Sequence, residues 1–308
     1  MIRLITLALC LLLMTGCDLF PQHRVDKTQA LYRATLAELD ALERQGFLNP
    51  NAVSLVFIAR YGTSFGRAAI LEGRDGATNT PLAAQTMVQY CIEQRQTEQP
   101  AKIKACLRAL FLRDEDLRYS HGGIAYKIPG QQWYVHQSLR SKVDQQHFQW
   151  FGTLQQFIDI ALVEHRIQLI VPDTDLQRHL VQKLLVEHAG DDLITPNYNL
   201  VAGPFQTHEQ MSNQFILEIL GAALQPPAWQ NTRKNAQGYL RSRGFRPTVI
   251  LLGGIQSLAK WDQIFPTIDL SQQPYARKYE IGEMITVRSI RQFLLKTGRV
   301  SAVREIEI

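Results

Sequence analysis

An α+β fold, with a small, mostly antiparallel sheet packed with helices, follows from three features of the sequence. Short runs rich in β-branched and aromatic residues read as strands: SLVFIARYG (54–62), the two arms around Pro129-Gly130, and HRIQLIVP (165–172). Segments with apolar residues at helical spacing lie between and around them. The chain contains no internal repeat and no low-complexity stretch, which leaves a layered domain with helices on a sheet.

The elements follow in order. Lys27 to Gln45 carries Tyr32, Leu36, Leu39 and Leu42 on one side and ends at Gly46, which predicts a helix. After the Asn49-Pro50 turn comes the strand at 54–62, then a Gly-, Thr- and Arg-rich loop over 62–80. Helical segments fill 81–113, up to Asp114-Glu115-Asp116. A hairpin follows, with arms Gly122–Ile128 and Gln132–Ser138. A helix is expected over Thr153–Val163, and then the strand at 165–172, closed by Pro172. Asp173 or Thr174 caps a helix running to about Ala189, where Gly190 stops it. The apolar segment MSNQFILEILGAAL predicts a helix beginning near Ser212, and Pro226-Pro227 breaks the chain after it. A further helix, the strand TVILLGG, the strand-like EMITV and a closing helix complete the sequence. The organisation expected is a leader (1–16), a tether and helix (17–49), a core (50–225), and an extension packed on that core (226–308).

The leader has a positive Arg3, an apolar run from Ile5 to Met14, and small residues before Cys17. That is a secretory signal, too short for a durable membrane span. The ending MTGC resembles a bacterial lipobox, which implies that Cys17 becomes the acylated first residue of the mature chain. Asp18 resembles an inner-membrane retention signal. An ordinary leader with an incidental cysteine is the other reading. The expected location is thus the cell envelope, lipid-anchored and facing the periplasm. Cys91 and Cys106 remain as a pair in an oxidising compartment, on segments that can form a helical hairpin. A disulfide is expected, with two buried free thiols as the alternative. The formal charge of +5 comes from scattered Lys and Arg, which argues against a nucleic-acid partner and leaves mild attraction to anionic lipid or cell-wall polymers.

The stretch YSHGGIAYKIPGQQWYVHQSL carries His121 on one arm and His136 on the other. If residues 127–130 form a four-residue loop, Tyr126 faces Gln131 and His121 faces His136. The two imidazoles then share one face of the sheet, with Ile124, Tyr126, Trp133 and Val135 on the other. One imidazole can take a proton from a nucleophile while the other fixes its tautomer. Each histidine alone also fits a buried ring bonded to backbone.

The pattern SHGGIAYK followed by WYVH resembles the HxGIY…H segment of permuted papain-like enzymes. These include lecithin–retinol acyltransferase and the bacterial YiiX-type relatives of NlpC-type cell-wall peptidases. In that order of elements, a nucleophilic cysteine follows much later at the start of a helix. Here NYNLVAGPF and MSNQFILEIL occupy that place, with Ser212 at the cysteine position. From RYSHGGIAY to SNQFILE, residues 50–295 are similar to a bacterial envelope-protein family of unassigned function. The resemblance implies a permuted papain-like fold with extra helices at both ends. It implies Ser212 as nucleophile, His121 as base and His136 as its orienter, in a hydrolase or acyltransferase acting on an amide or ester. The substrate expected is a cell-wall peptide or a lipid, without a cofactor or metal. The rival expectation is a non-catalytic lipoprotein that binds a peptide, cell-wall fragment or lipid in the same cleft.

The chemistry of that position stands apart from the family. A helix N-terminus presents unpaired N–H groups and the positive end of the macrodipole, which stabilise a thiolate or an oxyanion. Oxygen in place of sulfur requires a well-placed base during attack. Ser212 equally fits a plain N-cap. Asn213, Gln214 and Gln137, together with Asn199, are candidates to orient a histidine or contact the oxyanion. The other histidines lack metal-ligand spacing, Gly253-Gly254 lacks the Lys-Ser/Thr of a phosphate loop, and Gly62/Gly66 is too sparse for a dinucleotide fingerprint. Arg60 fits either a carboxylate or phosphate ligand or a solvated cation.

Overall fold

The computed structural model describes residues 21–61, 71–75, 77–113, 115–141, 143–159, 164–252 and 268–308. The leader with Cys17 and Asp18, the positions Gly62 and Gly66, and Gly253-Gly254 lie outside the described residues.

Helix α1 (Pro21–Arg44) buries Leu31, Leu39 and Leu42. Strand β1 (Ser54–Tyr61) is buried at every position, which explains its unbroken apolar run: both of its faces are covered. Strand β2 (Leu71–Gly73) is followed by α2 (Ala84–Arg95) and α3 (Pro100–Ala109), the latter with proline at its start, where a missing N–H costs nothing. Strand β3 (Phe111–Arg113) and a 3₁₀ turn (Glu115–Arg118) lead into β4 (Tyr119–Lys127) and β5 (Trp133–Arg140). Then come β6 (His147–Thr153), α4 (Leu154–Asp159) and β7 (Arg166–Pro172). The Asp173 side chain caps α5 (Thr174–Val181) by accepting from Leu176 N at 2.8 Å. The predicted single helix to Ala189 instead passes into a π turn (Gln182–Val186) and the short α6 (Ala189–Leu193). The apolar helix α7 runs from Ser212 to Leu224, and α8 (Arg233–Ser242) packs on it. Strand β8 (Thr248–Leu251), α9 (Ala276–Tyr279), β9 (Ile281–Met284), α10 (Val287–Lys296) and β10 (Val300–Glu307) complete the chain.

The architecture is mixed α+β, and every strand ladder among the described residues is antiparallel. It differs from expectation in having two sheets. A six-stranded sheet has the order β10-β7-β1-β4-β5-β6, and a four-stranded one has β3-β2-β8-β9. One face of the larger sheet, with Leu55, Phe57 and Ile124, packs against α7 through Phe215 and Ile219. The other, with Val56, Ile58, Ala125, Trp133 and Val135, is covered by α1 and α4. The smaller sheet encloses a third core with α2 and α3. In that core Cys91 and Cys106 form a disulfide, with Cα atoms 5.8 Å apart. Changing both to serine is expected to cost about 3 kcal/mol of stability, read from chemical unfolding. A loss below about 1 kcal/mol would show that the third core holds without it.

The hairpin register corrects the expected one. Ile128 accepts from Gln131 N at 2.9 Å, closing a turn with Pro129 and Gly130 in the middle. Gly130 has φ +77°, the left-handed value that the third position of a type II turn requires. The loop is therefore Ile128–Gln132, and Lys127 pairs with Trp133, Ala125 with Val135, and Ile124 with His136. The shift from the expected pairing is three residues. An odd shift sends side chains to opposite faces, so His121 and His136 are not a facing pair. Trp133 and Val135 do lie together, but Ile124 packs on the α7 side with the His136 row.

Candidate functional site

The site forms where α7 begins beside β4. Met211 is the N-cap of α7 and supplies no side-chain cap, so Ser212 is the first helical residue rather than the cap. Gln214 N already bonds the Met211 carbonyl at 3.0 Å, which leaves the N–H groups of Ser212 and Asn213 at the electropositive end of the helix. Two side chains then meet the imidazole of His121. Its Nδ1 lies 3.1 Å from Ser212 Oγ, and its Nε2 lies 2.5 Å from Gln137 Oε1. An amide oxygen only accepts, which assigns the proton to Nε2 and leaves the Nδ1 lone pair to accept from the Ser212 hydroxyl. Gln137 reaches the ring because β4 and β5 stay paired only as far as Ile124 and His136. His121 and Gln137 lie just past that point, on strands that alternation turns the same way.

The helix start is stitched to the strand by Asn213. Its Oδ1 accepts from Gly122 N at 3.0 Å and its Nδ2 donates to Ser120 O at 3.1 Å. One carboxamide thus bonds the backbone on both sides of His121 while its neighbour Ser212 faces the ring. Gln214 donates to the carbonyls of Gly203, Pro204 and Gln206, which ties down the loop leading to the helix. The amides of Asn213 and Gln214 are thereby engaged with backbone. Asn199 is likewise committed, to Glu209 and to the Asp269 carbonyl.

His136 is elsewhere. Its ring stacks on Phe151 at 4.0 Å and meets Phe215 of α7 edge-on at 5.4 Å. Neither ring nitrogen has a hydrogen bond of normal geometry, although Gln149 lies close enough to temper its acidity. The orienting role expected of His136 falls in this geometry to Gln137.

Three residues near the site were not singled out, or only loosely, from the sequence. The hydroxyl of Tyr198 faces Ser212, and burial pushes the phenol up to about 12, with the Arg140 charge and the Ser212 contact working the other way. His147, edge-on to Tyr198 at 5.1 Å, donates from Nδ1 to Thr195 O at 3.2 Å. Arg60 pairs with His121 across the β1–β4 ladder and lies over the Phe157 ring, its guanidinium lowered to about 9 by burial. Tyr198 falls within NYNLVAGPF, but no spacing rule distinguishes its hydroxyl from a packing phenol.

Burial sets the charge state. Desolvation lowers His121 to about 3; the Arg60 and His147 charges act in the same direction, and the Gln137 bond opposes them. Burial first, against Gln149 and Asp191, lowers His136 to about 4, and burial likewise lowers His147 to about 4. The folded protein therefore keeps these imidazoles neutral where the unfolded chain protonates them, below about 6.5. The unfolded state binds more protons as pH falls, so stability present above 6.5 is lost between 6.5 and about 4. Each histidine contributes up to about 1.4 kcal/mol per pH unit in that window. Urea unfolding at pH 7, 6 and 5 should show this fall, made shallower by His136→Phe. Equal stability at pH 7 and 5 would contradict the neutral assignment.

Residues 108–294, from before the hairpin into α10, match the family described as "Uncharacterized protein conserved in bacteria (DUF2145)". The chain belongs to this family. The matched span holds His121, Gln137, Tyr198 and Ser212 together. No match was found among curated proteins or among solved structures.

Proposed function

We propose that this DUF2145 chain is an envelope hydrolase or acyltransferase acting on an amide or ester, built on a permuted papain-like scaffold with serine in the nucleophile position. One observation carries the reading: a neutral imidazole fixed by Gln137 accepts from a serine hydroxyl at the uncapped start of an apolar helix. In the reaction, His121 Nδ1 takes the Ser212 proton as Oγ attacks the substrate carbonyl. The developing oxyanion is met by first-turn N–H groups of α7 and by the Tyr198 hydroxyl, donors of a kind often worth about 3 kcal/mol each. The imidazolium, stabilised by that new negative charge although burial disfavours it, returns the proton to the leaving amine or alcohol. Water, or an acceptor alcohol or amine, then releases the acyl group from Ser212 by the same steps in reverse.

Turnover of an activated ester such as p-nitrophenyl butyrate tests the reading. An initial burst of about one nitrophenol per chain is the expected acyl-enzyme signature. Hydrolysis no faster than buffer would reject it. A second reading, a non-catalytic protein binding a peptide, cell-wall fragment or lipid, is favoured by the near enclosure of the pair: Ser212 is 5% exposed and His121 8%. Saturable binding of such a ligand without acylation would decide for it.

The leader and lipobox-like MTGC support an anchor on Cys17 and a periplasm-facing chain held at the membrane, with Asp18 favouring the inner membrane. Among the described residues no helix is long and apolar enough to cross a membrane, which is compatible with such an anchor. Cys17→Ala is expected to free the chain from the membrane fraction. A variant that still sediments with membranes after a carbonate wash would remove the anchor from this reading.

A further inference from the structure

A second cleft lies away from the His121–Ser212 pair, between the start of α2, the turn after α8, and α10. Its volume is about 650 Å³, within the range of small-molecule sites. Leu82, Pro247 and Phe293 give it an apolar wall, and Arg246 and Lys296 stand at its rim. The Lys296 ammonium lies over the turn at Gly244, 3.8 Å from where a Cβ there would sit. The acid in the cleft is already neutralised: Glu72 binds Arg74 at 2.7 Å and Arg288 at 2.6 Å. The carboxylate of Glu283 on β9 accepts from Ala84 N at the start of α2. Among the described residues, no ion pair engages Arg246 or Lys296. The cleft therefore pairs a net positive rim with an apolar wall, beside the start of α2, whose first N–H is already taken by Glu283.

From this combination we infer a binding site for a small acidic amphiphile, its carboxylate or phosphate held by Arg246 and Lys296 and its apolar part against Leu82, Pro247 and Phe293. It is separate from the serine site: α10 meets β4 at its other end, where Val287 touches Gly122. The inference does not depend on Ser212 being reactive. The ligand is a free amphiphile, since Leu82, Pro247 and Phe293 line a cleft of about 650 Å³ rather than a flat face.

The test is peptide-resolved hydrogen exchange on the full chain with sodium octanoate as the probe. At octanoate ten times its Kd, exchange of binding-protected amides in 80–86, 244–247 and 289–296 should slow about tenfold. Octanol should not reproduce this, and Arg246→Gln with Lys296→Gln should abolish it. Both positions are exposed, so the variant folds; Leu82→Trp, which fills the wall, should also abolish it. No slowing with octanoate, equal slowing with octanol, or slowing retained in the charge variant would overturn the inference. Slowing produced only by phosphatidylglycerol vesicles would overturn it too, assigning the rim to a lipid surface.

Discussion

Ser212→Ala is expected to lower acylation of the protein by an activated ester or a fluorophosphonate about 10⁴-fold or more, and His121→Ala nearly as much. The two act as a unit: without the hydroxyl there is no nucleophile, and without the imidazole nothing takes its proton at 3.1 Å. Gln137→Ala should cost less, because it only frees the ring to adopt the wrong tautomer or rotate away. Gln137→Glu is the sharper control, since it keeps an acceptor facing Nε2 and adds a charge that raises the basicity of His121. The measurement is the acylation rate by intact mass. Equal rates in wild type and Ser212→Ala would place the reactive group elsewhere.

The largest loss of stability is expected at the buried ion pair beneath the site. Glu218 on α7 is fully enclosed and Arg233 on α8 is 7% exposed. Arg233 donates to Glu218 through Nε at 2.8 Å and Nη2 at 3.1 Å, and Gln237 and Gln210 supply further donors to the same carboxylate. The remaining Arg233 hydrogens go to the carbonyls of Gln206, Thr207 and Glu209. The pair thus fastens the loop entering Ser212 to the helix leaving it. Glu218→Ala would strand a buried guanidinium and should cost about 3–5 kcal/mol in urea unfolding. Replacing both partners by methionine should cost less than either single change, because no charge is then left unpaired. A single-variant loss under about 1 kcal/mol would mean that the surrounding amides hold the loop alone.

Much of this fold is legible in the chain, and the misses have identifiable causes. SLVFIARY is apolar from Leu55 to Ala59 because β1 is covered on both faces, and the length of the apolar run after Phe215 marks α7 as a buried helix. Strand β6 escapes because HFQWFGT mixes aromatic and polar residues on an edge with half its side chains outside, and Gly152 reads as punctuation. Strand β10, VSAVREIE, is also an edge and shows few apolar positions. The hairpin was visible, but its register was not. A Pro-Gly pair announces the turn without fixing where the ladder resumes: Lys127 joins it, and Gln131 and Gln132 are left out. That odd shift exchanges His136 for Gln137 beside His121. The Ser212–His121 contact was legible as a pairing of motifs far apart in sequence. Tyr198 and the Asn213 clamp were not, because both depend on where a loop returns.

Reacting wild type and Ser212→Cys with serine- and thiol-directed acylating probes, and locating the adduct by peptide mass, tests the central claim most directly. One adduct is expected on Ser212 in wild type, lost in His121→Ala, and a thiol adduct on residue 212 in Ser212→Cys, where the helix start and His121 favour the thiolate. An unmodified wild type alongside an unmodified Ser212→Cys would contradict it.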